Sequence, residues 1–221
     1  MYPLVSTLAQ QQNISLGITQ AYFGDTSHTL SAGWSLSQLS GMDLWWNQVN
    51  ISLRGRITHL VTSNMFTHQL TVNFVDSVLM GLTGDYTLAM RVSAGWSDRE
   101  KNFALGGDQG PFLLRGYSEG AFRGSHIAGA SVEYRIKLLS IWRGLGLQPV
   151  FVQQLNAHLF ADAGSAEEAF DLNQVKIGVG AELHLVATFW GIGPDFRIGI
   201  AQGLDREQPV FYFDMGIATA F

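Results

Sequence analysis

The sequence predicts an all-β chain: a transmembrane antiparallel β-barrel, ten or eleven strands of it visible out of an expected larger barrel, with a Gly-rich loop folded into its lumen. Three observations lead there. Apolar and polar residues alternate with period two along almost the whole chain, which marks strands with one apolar face. The polar half of that alternation is mostly Gly, Ser, Thr, Ala and Asn with scattered Arg, Lys and Glu, the content of a packed, hydrated lumen and not the charge-rich exterior of a soluble domain. Aromatics gather near strand ends. Tracing the hairpins up and down puts Trp45, Trp46, Tyr86, Trp142, Trp190 and Phe221 near one rim and Tyr22 and Trp96 near the other. Open strand edges in lipid leave backbone groups unsatisfied, so such strands predict closure.

The elements follow in order. Residues 14–22 set Ile14, Leu16, Ile18 and Tyr22 against Ser15, Gly17, Thr19 and Ala21, and residues 28–37 set Leu30, Ala32, Trp34 and Leu36 against Ser31, Gly33 and Ser35 across a Gly24-Asp25-Thr26-Ser27 turn. Further strands are expected over 44–58, 66–75 and 86–96. In the last, Tyr86, Leu88, Met90, Val92, Ala94 and Trp96 oppose Thr87, Arg91, Ser93 and Gly95. Residues 128–138 alternate without a break, placing Glu133, Arg135 and Lys137 on the polar side, and strands over 155–163, 175–187, 195–202 and 209–221 complete the ten. Lys176, Glu182 and His184 share the polar face of their strand. Residues 3–10, interrupted by Pro3, stand as an open eleventh.

The composition bounds the function. With 221 residues, 47% of them hydrophobic and 14% charged, the chain reads as one domain over 1–221. A formal net charge of −5 and the lack of any Lys/Arg run exclude a nucleic-acid surface. With no cysteine, disulfides and thiolate metal sites are excluded. The N-terminal MYPLVSTLAQQQ has neither a basic region nor a sustained apolar run, so an export signal is expected upstream, unless the protein stays inside the cell.

Between the strands over 86–96 and 128–138 the alternation stops. Residues 103–124 are too rich in glycine for a helix or flat strand, yet Phe103, Phe112, Leu113, Leu114, Tyr117 and Phe122 are too apolar for a solvated loop, so the segment must fold back onto the wall. At its centre Leu114-Arg115-Gly116-Tyr117 carries a guanidinium that needs carboxylates once buried. Glu133 and Asp162 lie on the polar faces of the next two strands and are the expected partners; the alternative leaves Arg115 exposed and gives the acids to Arg91, Arg135 or Lys137.

Three motifs carry a resemblance. Phe103-x-Leu105-Gly106-Gly107 leading to Leu114-Arg115-Gly116-Tyr117, then Val132-Glu133-Tyr134-Arg135, then Phe160-x-Asp162-x-Gly164, resemble in order and spacing the BamA/TamA type of outer-membrane barrel, the bacterial surface antigen family. The resemblance covers about residues 84–221. It implies a lumen loop whose Arg115, Gly116 and Tyr117 meet the wall at Glu133 and Asp162. It also implies a sixteen-stranded barrel, so this chain would be the C-terminal part of one, with periplasmic domains encoded upstream. The ending Asp214-x-Gly216-x-x-Thr219-x-Phe221 resembles the C-terminal insertion signal of such barrels, with Thr219 in place of the usual apolar residue. The implied work is insertion or translocation of unfolded outer-membrane proteins at the bacterial outer membrane, in contact with its lipid and without cofactor or enzymatic chemistry. The alternative is a passive anchor or secretion pore for an attached domain.

Other signals point elsewhere. Gly116-Tyr117-Ser118-Glu119-Gly120 fits the G-x-S-x-G pattern of serine hydrolases but lacks the strand before it and the helix after it. His158 and His184 fall on adjacent strands and could share a metal; they read instead as hydrogen-bonded lumen groups. His68 has no serine beside it of the kind a barrel phospholipase uses.

Overall fold

The computed structural model describes residues 6–21, 27–42, 45–61, 63, 65–80, 85–107, 112–144, 150–168, 174–189 and 193–218. The strands, in chain order, are β1 (Ser6–Ala21), β2 (Ser27–Met42), β3 (Trp45–Leu60), β4 (Met65–Met80), β5 (Tyr86–Ser97), the short β6 (Phe103–Leu105) and β7 (Phe122–Gly124), then β8 (His126–Gly144), β9 (Val150–Glu167), β10 (Lys176–Phe189), β11 (Gly193–Gly203) and β12 (Val210–Ala218). All but β6 and β7 form one antiparallel sheet in which every strand lies beside its neighbours in sequence. β6 and β7 pair with each other inside the Gly-rich loop, which therefore sits as a small hairpin between β5 and β8.

The two faces of the sheet are inverted relative to a soluble domain. In β5 the apolar residues Tyr86, Leu88, Met90, Val92 and Trp96 are exposed, while Ser93 and Ser97 on the opposite face are buried. The same holds along β9 and β10, where Leu159, Val179 and Leu183 are exposed and His158, Asp162, Glu182 and His184 are buried. Since successive side chains point to opposite faces, the polar residues cover one continuous surface, and the loop lies on it. Phe103 of the loop approaches Gly95 of β5, while Gly116 approaches Gln202 and Gly203 at the end of β11. The sheet thus curls about its polar face into a trough bridged by the loop.

One expectation is corrected. The cylinder is not closed: among the described residues β1 pairs only with β2 and β12 only with β11. Gln10, Gln11, Gln12 and Asn13 of β1 are all exposed, so this stretch of the edge lacks the two-faced pattern that would fix a register with a further strand. The strand left open over residues 3–10 falls partly outside the described residues. Residues 6–10 continue into β1, because no turn residue interrupts the Ala9–Asn13 run, and a register shift between Thr7 and Ala9 absorbs the irregularity.

Several strands run to sixteen residues or more, longer than the alternation suggested, since turn chemistry is confined to the short connections. Of the expected aromatic rims, Trp45 and Tyr86 fall at one end of the sheet through their pairing with Met80, and Trp96 falls at the other. The positions Tyr22, Trp190, Thr219 and Phe221 lie outside the described residues, as do the side chains of Trp45, Trp46 and Trp142.

Candidate functional site

The loop brings its own small core. Phe103, Leu105, Phe112, Leu114 and Tyr117 are buried with Ile127 of β8 and Ala166 of β9, and Phe122 packs against them. Phe103 and Phe112 meet edge to face, as do Tyr117 and Phe122. Gly106, Gly107, Gly116 and Gly120 all have positive φ, which lets the chain reverse direction within so few residues. Gly116 needs its glycine twice over, since at φ +93° a Cβ would also stand 2.6 Å from Gly203 N.

That core delivers Arg115 to the polar face, where it is 3% exposed. Its Nε and Nη2 donate to the two oxygens of Asp162 at 2.8 Å each, and its backbone N–H donates to Asp162 Oδ2 at 3.0 Å. Nη1 lies 2.9 Å from Glu133 Oε1 and 3.1 Å from Glu182 Oε1, and Nη2 also reaches Ser131 Oγ. The guanidinium carbon sits 3.5 Å above the centre of the Phe160 ring. Burial alone works against the Arg115 charge; the hydrogen bond and attraction of Asp162, with Glu133 and Glu182 behind it, overcome this and raise its pKa.

The expected partners Glu133 and Asp162 are thus both brought to Arg115. Glu133 is shared, because its Oε2 also accepts from Arg135 at 2.6 Å, while Lys137 pairs with Asp85. Glu182 was not expected. It lies on the polar face of β10 directly across from His158, a register that alternation within one strand does not reveal. Gly178 on the same strand explains how close the loop comes: a Cβ there would stand 1.9 Å from the Arg115 carbonyl oxygen. Gly203 plays the same part for Tyr117, whose ring lies 2.7 Å from where its Cβ would be.

Tyr117 completes the docking. Its hydroxyl donates to the Asp205 carboxylate and lies 3.3 Å from Ile177 O, and Lys176 Nζ holds the same carboxylate at 2.7 Å. Burial, then the bond to Asp205, push the Tyr117 hydroxyl up to about 12. Asp205 itself is held below the usual carboxylate range by Lys176 first and Tyr117 second. Of the C-terminal signal, Asp214 faces Arg197 across β11 and β12 and forms an ion pair with it, and Gly216 lies opposite Asp195.

A second polar cluster adjoins the first through Glu182. Its Oε1 accepts from Arg115 and Tyr212, and its Oε2 lies 2.7 Å from His184 Nε2. His184 Nδ1 faces Asp195 Oδ2 at 3.4 Å, and the His158 ring stacks on His184 at 3.8 Å. A cavity of about 910 Å³ opens on this cluster and is lined by Arg115, Glu133, Asp195 and Asp214 among others. On the other side of the loop, Phe103 and Phe112 line a cavity of about 460 Å³ with residues of β1 to β4. Ser118 is exposed on a turn, and among the described residues no helix follows it, so the elbow geometry of a serine hydrolase is not built here. His68 Nδ1 is 2.7 Å from Asp98 Oδ2.

Neither a protein-family model nor a curated protein sequence matches this chain.

Proposed function

We propose that this sheet is the wall of a bacterial outer-membrane β-barrel of the BamA/TamA type, working in the insertion or translocation of unfolded outer-membrane proteins. The observation that carries the reading is the inverted sheet, with apolar side chains on the open face and buried charges under the loop. The exposed row of β5 runs from Tyr86 to Trp96, aromatic at both ends. Ten residue steps at about 3.4 Å, tilted by about 40°, make a band about 26 Å tall, close to the apolar girdle of a membrane barrel. The Leu114-Arg115-Gly116-Tyr117 segment, docked on Glu133 and Asp162, supports the family assignment made from the motifs. Among the described residues β12 pairs only with β11, and its other edge would offer backbone donors and acceptors to an incoming strand, which suits a protein that templates strand pairing.

The test reconstitutes the chain in vesicles of outer-membrane lipid and follows the folding of an unfolded small barrel protein, with a photo-crosslinking side chain placed at Phe213 on β12. Acceleration several-fold over empty vesicles, with crosslinks to the substrate, is the expected result. Membrane integration without acceleration or crosslinks would leave the chain a passive anchor or pore and overturn the insertion reading. Failure to integrate at all would overturn the membrane reading with it.

A further inference from the structure

We propose that His158, Glu182 and His184 form a binding site for one divalent transition-metal ion of the zinc kind. The three residues are buried, and one donor atom from each lies within 4.8 Å of the others. Strand register builds the group: Glu182 is the direct cross-strand partner of His158, and His184 follows two positions later on the same face. The inference goes beyond the membrane reading and does not depend on it.

Three features point to a cation. His184 is flanked by two carboxylates, Asp195 at Nδ1 and Glu182 at Nε2. A neutral imidazole carries one N–H, so it satisfies one of them and turns a lone pair on the other; an imidazolium satisfies both, and so does a metal ion at Nε2 with Nδ1–H given to Asp195. This is the carboxylate–histidine–metal arrangement that orients ligating histidines.

His158 is the second feature. The residue is only 7% exposed and lines the cavity beside Glu182 and His184. Its Nδ1 lies 3.9 Å from Glu182 Oε2, too far to bond directly. Two donors each about 2.0–2.1 Å from a shared zinc stand roughly 3.3–4 Å apart. The third feature is Asp195 Oδ1, which is buried and without a hydrogen-bond partner.

The donor set selects the metal. Two imidazoles and one carboxylate suit zinc, cobalt or nickel better than calcium or magnesium, which prefer oxygen alone. A fourth position faces the cavity and is open to water. Ligation needs Glu182 Oε2 and His184 Nε2 to part by about 0.6 Å, from their present contact to roughly 3.3 Å. It also needs the His158 ring to turn out of its stack on His184, since imidazole lone pairs lie in the ring planes, while Arg115 and Tyr212 hold the carboxylate at Oε1. Arg115 then bonds the carboxylate that holds the metal, so the ion ties the loop more firmly to β10.

The experiment titrates Co²⁺ alone into the folded, untagged chain in detergent and reads the visible d–d absorption, then displaces Co²⁺ with Zn²⁺. One Co²⁺ per chain is expected, with intense bands of tetrahedral type that Zn²⁺ abolishes. Asp195→Asn should weaken binding about 10- to 100-fold, as loss of an outer partner does, and His158→Ala or His184→Ala should weaken it further. The control His28→Ala/His68→Ala should leave binding unchanged. No such bands at about 100 µM free Co²⁺, in wild-type chain shown by its gel mobility to be folded, would overturn the proposal. So would bands that survive in folded His158→Ala and His184→Ala. The wild-type spectrum decides whether a site forms even where a variant fails to fold.

Discussion

Arg115 grips Asp162 through three separate donors, Nε, Nη2 and its own backbone N–H, so a side chain and the main chain of the loop are fixed to a single carboxylate on β9. Such two-pronged contacts constrain direction as well as distance. The loop therefore cannot pivot about Arg115 without breaking its backbone bond.

Arg115→Ala should cost about 3–5 kcal/mol, the usual loss when one member of a buried ion pair is removed and its partners stay behind uncompensated. Glu133→Gln and Asp162→Asn should cost less, since each leaves two acids on the guanidinium. The measurement is the temperature at which the folded band disappears on gels, checked by urea unfolding. Wild-type behaviour in all three variants would show that loop and wall are not coupled.

Gly178→Ala should displace the loop, because its Cβ would overlap the Arg115 carbonyl oxygen, whereas Gly129→Ala should be tolerated, its nearest neighbour standing 3.9 Å away. Limited trypsin digestion reads the difference. Cleavage after Arg115 should be rapid in Gly178→Ala and absent in Gly129→Ala, and equal protection of both would contradict the close docking.

The Tyr117–Asp205 contact predicts an alkaline weakening. A tyrosine whose folded pKa is raised adds stability that is complete below its unfolded value near 10 and lost as pH rises through about 12. Urea midpoints should fall over that window, and Tyr117→Phe should flatten this part of the profile. At the acid end, Asp205 is shifted the other way, so its contribution is present above the unfolded value and lost as pH falls through the lower folded one. Asp98, held down chiefly by its hydrogen bond to His68, acts in the same direction. An alkaline profile identical in Tyr117→Phe would remove the phenol from the docking.

Val92→Arg tests which solvent the open face meets. Val92 is 51% exposed in the middle of the β5 row. In a bilayer the change should cost about 2–4 kcal/mol at mid-depth, while in water an exposed substitution usually costs within about 0.5 kcal/mol. Folding yield in vesicles compared with wild type decides it, and an unimpaired variant would argue for water on that face.

Much of this was legible in the residues. Period-two alternation placed the exposed and buried faces of β5 residue by residue, and charge chemistry led from Arg115 to Glu133 and Asp162. Glu182 was less visible. Its face could be read from β10 alone, but its place opposite His158 depends on how two strands slide past each other, which local pattern does not fix. The β6–β7 hairpin escaped for a related reason: three-residue strands are too short to show a period. Strand lengths were underestimated where polar runs such as Gln10–Asn13 continue a ladder without alternating. Closure was inferred from the cost of bare edges in lipid, a general argument that carries no information about which strands lie against β1 and β12.

The loop is also a partition. With Leu113 and Arg115 bordering one chamber and Phe103 and Phe112 the other, its aromatic cluster stands between two water-accessible spaces along the same polar surface. In the barrel proposed above, ions drifting through the interior would have to skirt this bulkhead, so leakiness should rise whenever Arg115 lets go.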